Sequence, residues 1–167
     1  MNKSTNLVED TRQEIVITRV FDAPRARLWK AWVDPELMKR WWGAKGITCP
    51  VSSIDLRVGG HYKYCMQLPE GQTVWATGVY REIQEPDHLV FTDSFGDENG
   101  NIVSPTKYGM TADFPEELLI KVAFEQVGND NTRLTLRHIG MPAGEDRELT
   151  GASWNEMFDK LDLVLKS

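Results

Sequence analysis

The stretch EDRELTGASWNEMFDKLDLVLK, residues 145–166, spells out one long amphipathic helix. At about 100° per residue, Leu149, Ser153, Val164, Met157, Leu161, Trp154, Leu165 and Phe158 follow one another across roughly half of the circumference. Lys160 is the one charge on that side. Asp162, Asn155, Lys166, Asp159 and Glu156 take the other half, interrupted by Leu163. An apolar face this wide exceeds the seam of a coiled coil and needs a broad surface such as a sheet. The sequence leaves two starts open: Glu145, or Ser153, where Ser153 and Glu156 could form a capping box after Gly151 breaks the pattern.

The chain upstream supplies the sheet. Glu14 to Phe21 is β-branched and alternating, which predicts a first strand. Asp22 then stands as an N-cap with Pro24 just inside a helix, and Leu28, Trp29, Trp32 and Val33 recur at helical spacing. Asp34-Pro35 ends that helix and opens a second, which carries Leu37, Met38 and Trp41 and stops at Trp41-Trp42-Gly43. Six further strands are predicted over 51–58, 61–68, 73–83, 88–95, 117–126 and 132–138. Gly59-Gly60, Gln84-Glu85-Pro86-Asp87 and Gly128-Asn129-Asp130-Asn131 mark turns between them. The result is an α+β chain, with a seven-stranded antiparallel sheet and its helices segregated from it. Residues 96–116 form an unusually long connection, the kind that is functional or mobile, and Asn99-Gly100 could be a hairpin tip within it.

Composition narrows the partners. The 167 residues carry 19 Lys and Arg against 25 Asp and Glu, a formal charge of −6, which opposes a nucleic-acid or anionic-membrane surface. No apolar run is long enough for membrane insertion. Residues 1–13 read as a flexible polar lead-in without a signal-peptide core, and 14–167 as a single domain, so a cytoplasmic location is expected. Cys49, placed in a loop, and Cys65, predicted outward on its strand, make no disulfide framework, and neither has a histidine spaced as a nucleophile motif requires. His61, His88 and His138 share no metal-ligand spacing with them, so no metal is expected. There is no phosphate loop, nucleophile elbow or zinc-protease motif.

Several blocks in order resemble a known family. Residues 17–24 (ITRVFDAP), 28–32 (LWKAW), Asp34-Pro35 and Arg40-Trp41-Trp42-Gly43 are similar to its opening signature. Asp55-Leu56-Arg57-Val58-Gly59-Gly60 with Tyr62 and Tyr64 resembles its second block. Trp154, Phe158, Asp159, Lys160 and Leu161 resemble its closing motif, with Ser153 in place of a usual glycine and Phe158 in place of a leucine. The family is the bacterial and archaeal group homologous to the C-terminal domain of the activator of the heat-shock-protein-90 ATPase, in the START-like (SRPBCC) superfamily. The resemblance implies a helix-grip fold. In it a curved sheet holds the long C-terminal helix, with two short helices after the first strand and an apolar cavity between sheet and helix. Members range from lipid and polyketide binders to cyclases, so fold alone does not fix function.

The inward faces would line such a cavity with Tyr62, Tyr64, Met66, Leu118, Ile120, Phe124, Leu134, Leu136, Trp154, Met157 and Leu161; periodicity alone equally allows them to fill a core. His138 continues the inward face of Leu134 and Leu136. It could serve as acid, base or donor to a ligand, or be a core histidine satisfied by backbone or solvent. Tyr62 and Tyr64 could orient a ligand, or pack their rings and send their hydroxyls to solvent. Trp41, Trp42, Met110 and Phe114 are candidates for the cavity mouth, and Asp55 with Arg57 for a structural ion pair. No residue is assigned catalysis and no cofactor is expected.

The leading reading is binding of a small apolar or amphipathic molecule. The family name suggests a chaperone as partner instead, although in the eukaryotic activator this domain works beside a separate N-terminal domain, for which this chain has no room. A third reading is an enzyme of the cyclase or hydrolase type acting on a polyketide-like ligand, with His138, Tyr62 or Tyr64 as polar helpers.

Overall fold

A computed structural model describes residues 13–167; the expected lead-in, apart from Gln13, lies outside them. β1 (Glu14–Phe21) is followed by α1 (Arg25–Val33) and α2 (Pro35–Trp41). Then come β2 (Thr48–Ile54), β3 (His61–Gln67), β4 (Thr73–Gln84), β5 (His88–Gly96), β6 (Leu118–Val127), β7 (Asn131–Ile139) and α3 (Glu145–Lys166). The strands form one antiparallel sheet in the order β1-β7-β6-β5-β4-β3-β2. Strands consecutive in sequence are neighbours except at one place: β1 pairs with β7, and α1 and α2 carry the chain from that edge to the other. This is the α+β helix-grip architecture read from the sequence.

The strand limits agree with the sequence to about a residue, with one exception that the register explains. β2 runs over Thr48–Ile54 rather than 51–58. It begins earlier because it is an edge strand, where Pro50 costs no ladder bond, and because a bulge between Thr48 and Val51 absorbs the irregularity. It ends earlier because the chain folds back at Asp55. The Arg57 amide donates to the Asp55 carbonyl (2.9 Å) and the Gly60 amide to the Arg57 carbonyl (2.7 Å). Gly59, at φ +85°, completes the turn, so the alternating Leu56 and Val58 end up exposed. Arg57 and Asp55 do pair, at 2.9 Å, on this exposed turn.

The helix caps differ in one respect from the expected pattern. Pro24, rather than Asp22, is the N-cap of α1, and no side chain caps it. Asp34 caps α2, its carboxylate accepting from the amides of Glu36 (2.9 Å) and Leu37 (3.3 Å). α3 begins at Glu145, with Gly144 as N-cap, so Gly151 lies inside the helix and the Ser153–Glu156 capping box is not used. Its acidic first turn (Glu145, Asp146, Glu148) suits the positive end of the helix dipole.

α3 packs its inner face into the core from Trp154 onward. Trp154, Met157, Phe158, Leu161 and Leu165 are buried. Leu149, one turn before Ser153 on the same face, is exposed, so the buried part of the apolar face begins at Trp154. Arg19 on β1 reaches the outer side of α3 and pairs with Asp159 at 2.8 Å. Lys160, the one charge on the inner face, donates to the carbonyls of Gly43 (2.8 Å) and Ile47 (3.0 Å) and ties α3 to the α2–β2 connection. Trp32 is the hub of the core. It lies edge-on to Trp41, Trp42, Phe124 and Phe158, and stacks on Trp154 with ring centroids 6.1 Å apart.

The connection between β5 and β6 is structured rather than open. The Asp97 carboxylate accepts from the amides of Asn99 and Asn101, closing a turn around Asn99-Gly100. A short 3-10 turn follows at Pro105–Tyr108, fastened by the Tyr108 hydroxyl, which donates to the Gly96 carbonyl at 2.7 Å.

Candidate functional site

In this fold the N-terminal half of α3, the inner faces of β3 to β7, the α2–β2 connection and the segment after the 3-10 turn line a partly open cavity of about 310 Å³. That is at the small end of ligand pockets, which run from about 300 to 1,000 Å³. Its position follows from side-chain size. Where α3 presents Phe158, Leu161 and Leu165, the space under the helix is filled with α1 and the core; where it presents Ser153, Trp154 and Met157, a void remains.

The structure sorts the sequence-predicted residues into two groups. Tyr64, Met66, Leu118, Ile120, His138, Trp154 and Met157 line the cavity, and of the residues expected at its mouth so do Trp42, Met110 and Phe114. Tyr62, Phe124, Leu134, Leu136, Leu161 and Trp41 do not. Phe124 packs edge-on against Trp29 and Trp32, and Leu134, Leu136 and Leu161 are fully buried in the core. Trp41 is buried too, its indole donating to the Ala31 carbonyl at 3.0 Å. Tyr62 lies across Gly78, its partner in the register. A Cβ at Gly78 would run into the Tyr62 ring and the Thr92 carbonyl. The Tyr62 hydroxyl donates to that same carbonyl at 2.6 Å, rather than turning to solvent. Burial holds the phenols of Tyr62 and Tyr64 well above their ordinary range, with the Asp93 carboxylate adding to the effect.

The polar centre of the cavity is a chain of three side chains from three elements. The Trp154 indole on α3 donates to Nδ1 of His138 on β7 at 3.0 Å. Because Nδ1 accepts, the proton of the neutral ring sits on Nε2. Nε2 lies 3.2 Å from Oδ2 of Asp93 on β5, yet its N–H direction misses the carboxylate and it makes no hydrogen bond among the described residues. The contact is one of proximity and charge, with Nε2 itself closed off and the Asp93 carboxylate the partly exposed member of the pair. The imidazole is almost fully enclosed, with 5% of its side chain exposed, and Asp93 keeps 19%. Asp93 is therefore the member of the pair that can meet a polar group of a ligand.

Asp93 was not among the sequence candidates, although its pattern is readable. Leu89, Phe91 and Phe95 alternate inward on β5, and Asp93 takes the remaining inward place, opposite Leu118 in the register. The sequence also misses Ser94, Met141 and Thr150, which border the cavity from positions whose inward direction only the assembled fold reveals, and Ser153, which it placed on the inner face of α3 without taking it as a cavity residue.

Of the two cysteines, Cys49 is placed differently from the sequence expectation, and both are buried. Cys49 is on β2 rather than in a loop, and it is buried. Burial pushes its thiol up to about 11, with Cys65 adding to the rise against the lowering influence of Lys39 and Lys160. Cys65 is on the outer face, but Val51 and Trp75 flank it in the register and it is buried as well. Its thiol is also raised by burial. Neither offers a thiolate at neutral pH. Among the described residues there is no cluster of three or more His, Cys, Asp or Glu side chains able to hold a metal, and no helix long and apolar enough to cross a membrane.

Residues 22–166 match the family model described as activator of Hsp90 ATPase homolog 1-like protein. The chain belongs to that family. Solved structures agree on the fold. A protein from Chromobacterium violaceum superposes with a TM-score of 0.77 at 23% identity, covering 93% of this chain and 98% of its own. A solution structure from Arthrobacter aurescens gives 0.74 at 26% identity, covering 93% and 87%. A protein of the same family from Silicibacter pomeroyi gives 0.72 at 21%, covering 92% and 97%. Among curated proteins, none matches the chain in sequence. The activator of Hsp90 ATPase homolog 1-like family therefore accounts for the helix-grip architecture, while the function must be argued from the cavity.

Proposed function

We propose that this family member binds a small apolar or amphipathic molecule in the cavity between the sheet and α3. One observation carries the reading: a void of about 310 Å³ walled by Trp42, Tyr64, Phe95, Trp154 and methionines, with Asp93 and His138 as its ionisable lining. An apolar wall with a few convergent polar groups is the chemistry of a small-molecule site. Four of the chain's six methionines, Met66, Met110, Met141 and Met157, are in that wall. Methionine is flexible and polarizable, and suits a wall that adapts to its occupant. Native mass spectrometry of the purified chain, with steroids, lipids and aromatic polyketides offered in turn, tests the proposal. A retained or added mass at one-to-one stoichiometry is expected. Failure of every apolar compound to bind at near-saturating concentration would contradict it.

Family membership favours a second reading, a chaperone-associated module. A pull-down with the host's heat-shock-protein-90 homologue, together with an ATPase assay, tests it; absence of both binding and stimulation disposes of it.

A further inference from the structure

Given that the cavity binds a ligand, as proposed for it, its lining also selects the charge of that ligand. Among the described residues Asp93 is the one acid in the wall, and no lysine or arginine lines it. The Asp93 carboxylate accepts no hydrogen bond from a described residue; His138 Nε2, at 3.2 Å, is misdirected and closed off. Nor does His138 balance the charge. Its Nδ1 accepts from the Trp154 indole, which can only donate, so the ring carries a single proton and is neutral. Lys160 and Arg147 on α3 are committed to backbone carbonyls, the first to Gly43 and Ile47 and the second to Met141. We infer that the occupant is an organic ammonium ion, a protonated amine on an apolar frame, whose N–H donates to the Asp93 carboxylate while its charge meets the aromatic wall of the cavity.

Two independent features of the wall point to a cation. The first is the carboxylate. Its loss of hydration is incurred when the chain folds, so binding adds only the desolvation of the ammonium, set against an ion pair in surroundings of low dielectric. The second is the rings. Trp42 joins Tyr64 and Trp154 into one aromatic surface, with ring centroids 5.2 and 5.3 Å away, and all three line the cavity. The negative face of an aromatic ring attracts a cation, that of tryptophan most of all. Asp93 borders this surface: His138, 3.2 Å from it, is bonded to Trp154, and the Asp93 charge helps to raise the Tyr64 phenol. Other head groups fit less of this. A carboxylate or phosphate would face Asp93 with no cation to receive it, and like charges repel strongly in an apolar cavity. A neutral hydroxyl can donate to Asp93 but leaves its charge unbalanced and draws little from the ring faces. Fatty acids are excluded on this account, and hydrophobic amines are selected.

The test is a titration of the full chain, followed by NMR, with three probes of similar size and different charge: 2-naphthylmethylamine, 2-naphthalenemethanol and 2-naphthoate. Near pH 7 the amine is protonated and the naphthoate ionised. Salt at about 0.15 M screens the general field of the chain's −6 charge beyond about 8 Å. The amine is expected to bind about tenfold more tightly than the alcohol, with the naphthoate weakest. Asp93→Asn, which keeps the shape and removes the charge, is expected to cut the ratio of amine to alcohol affinity about tenfold. If the alcohol binds the unaltered chain as tightly as the amine, the ammonium preference is overturned while the cavity stays a binding site. That comparison needs no variant, so it decides even where Asp93→Asn fails to fold. If the amine keeps its advantage in a folded Asp93→Asn chain, it sits elsewhere on the acidic surface and the inference is overturned. If the naphthoate binds the unaltered chain best, the exclusion of anions is overturned. If none of the three binds, the cavity reading falls and this inference with it.

Discussion

Lys160 shows how a residue that breaks a pattern can hold a structure together. On the helical wheel it is the one charge among apolar residues, which alone would weaken the case for an inward face. In the fold its ammonium caps two backbone carbonyls of the α2–β2 connection, at 2.8 and 3.0 Å. Partial burial lowers its proton affinity, with the nearby Cys49 acting the other way. Lys160→Met keeps the stem and removes the charge. It should lower the free energy of unfolding by about 2 kcal/mol, the value of charge-assisted bonds to buried carbonyls. Urea denaturation measures it, and an unchanged midpoint would refute the role. His138 was legible as inward-facing because it continues the alternation of Leu134 and Leu136. Its partners were not, since Trp154 and Asp93 meet it only when α3 and β5 converge on β7. Tyr62 and Tyr64 are indistinguishable by period, yet one fastens to the Thr92 carbonyl while the other borders the void. Gly78, which gives Tyr62 its place, is the difference.

At the scale of elements, the wide apolar face of α3 was readable from Trp154 to Leu165, because 3.6-residue periodicity and burial coincide there. It misled at Leu149, which shares the face but is exposed. The start at Glu145 was not decidable from residues alone. A capping box at Ser153 and a longer helix through Gly151 are both locally consistent, and only packing selects between them. That packing makes Gly151 a helix interior position with room to spare: an added Cβ would meet nothing nearer than Ile15 Cγ2, at 3.9 Å. Gly151→Ala should therefore stabilise the chain by about 0.5–1 kcal/mol, the difference in helix propensity. Thermal unfolding reads it as a raised midpoint, and a lowered midpoint would mean that the helix does not run through this position. The strands were legible where alternation and turn residues agreed. β2 was shifted because alternation continued through Asp55 to Val58 while backbone hydrogen bonds had already turned the chain.

For the whole molecule, periodicity reports which face a residue occupies but not what stands opposite. Core and cavity share one inward surface here. The dividing line crosses α3 between Met157 and Phe158, and crosses the sheet between Tyr64 and Tyr62 on β3 and between His138 and Leu136 on β7. No local sequence signal marks that line, because it is set by what α1, α2 and the β5–β6 connection leave unfilled. The methionines provide a test of where it runs. Met66, Met110, Met141 and Met157 border the cavity, whereas Met38 is buried on α2 away from it, within reach of Ser52. Carbon-13 methyl spectra of methionine-labelled protein, recorded while 2-naphthol is added, follow all of them at once. Binding in the cavity predicts saturable shifts of the Met66, Met110, Met141 and Met157 methyls with Met38 unmoved. Methyl signals that stay still at saturating probe, or that move equally at Met38, would contradict it.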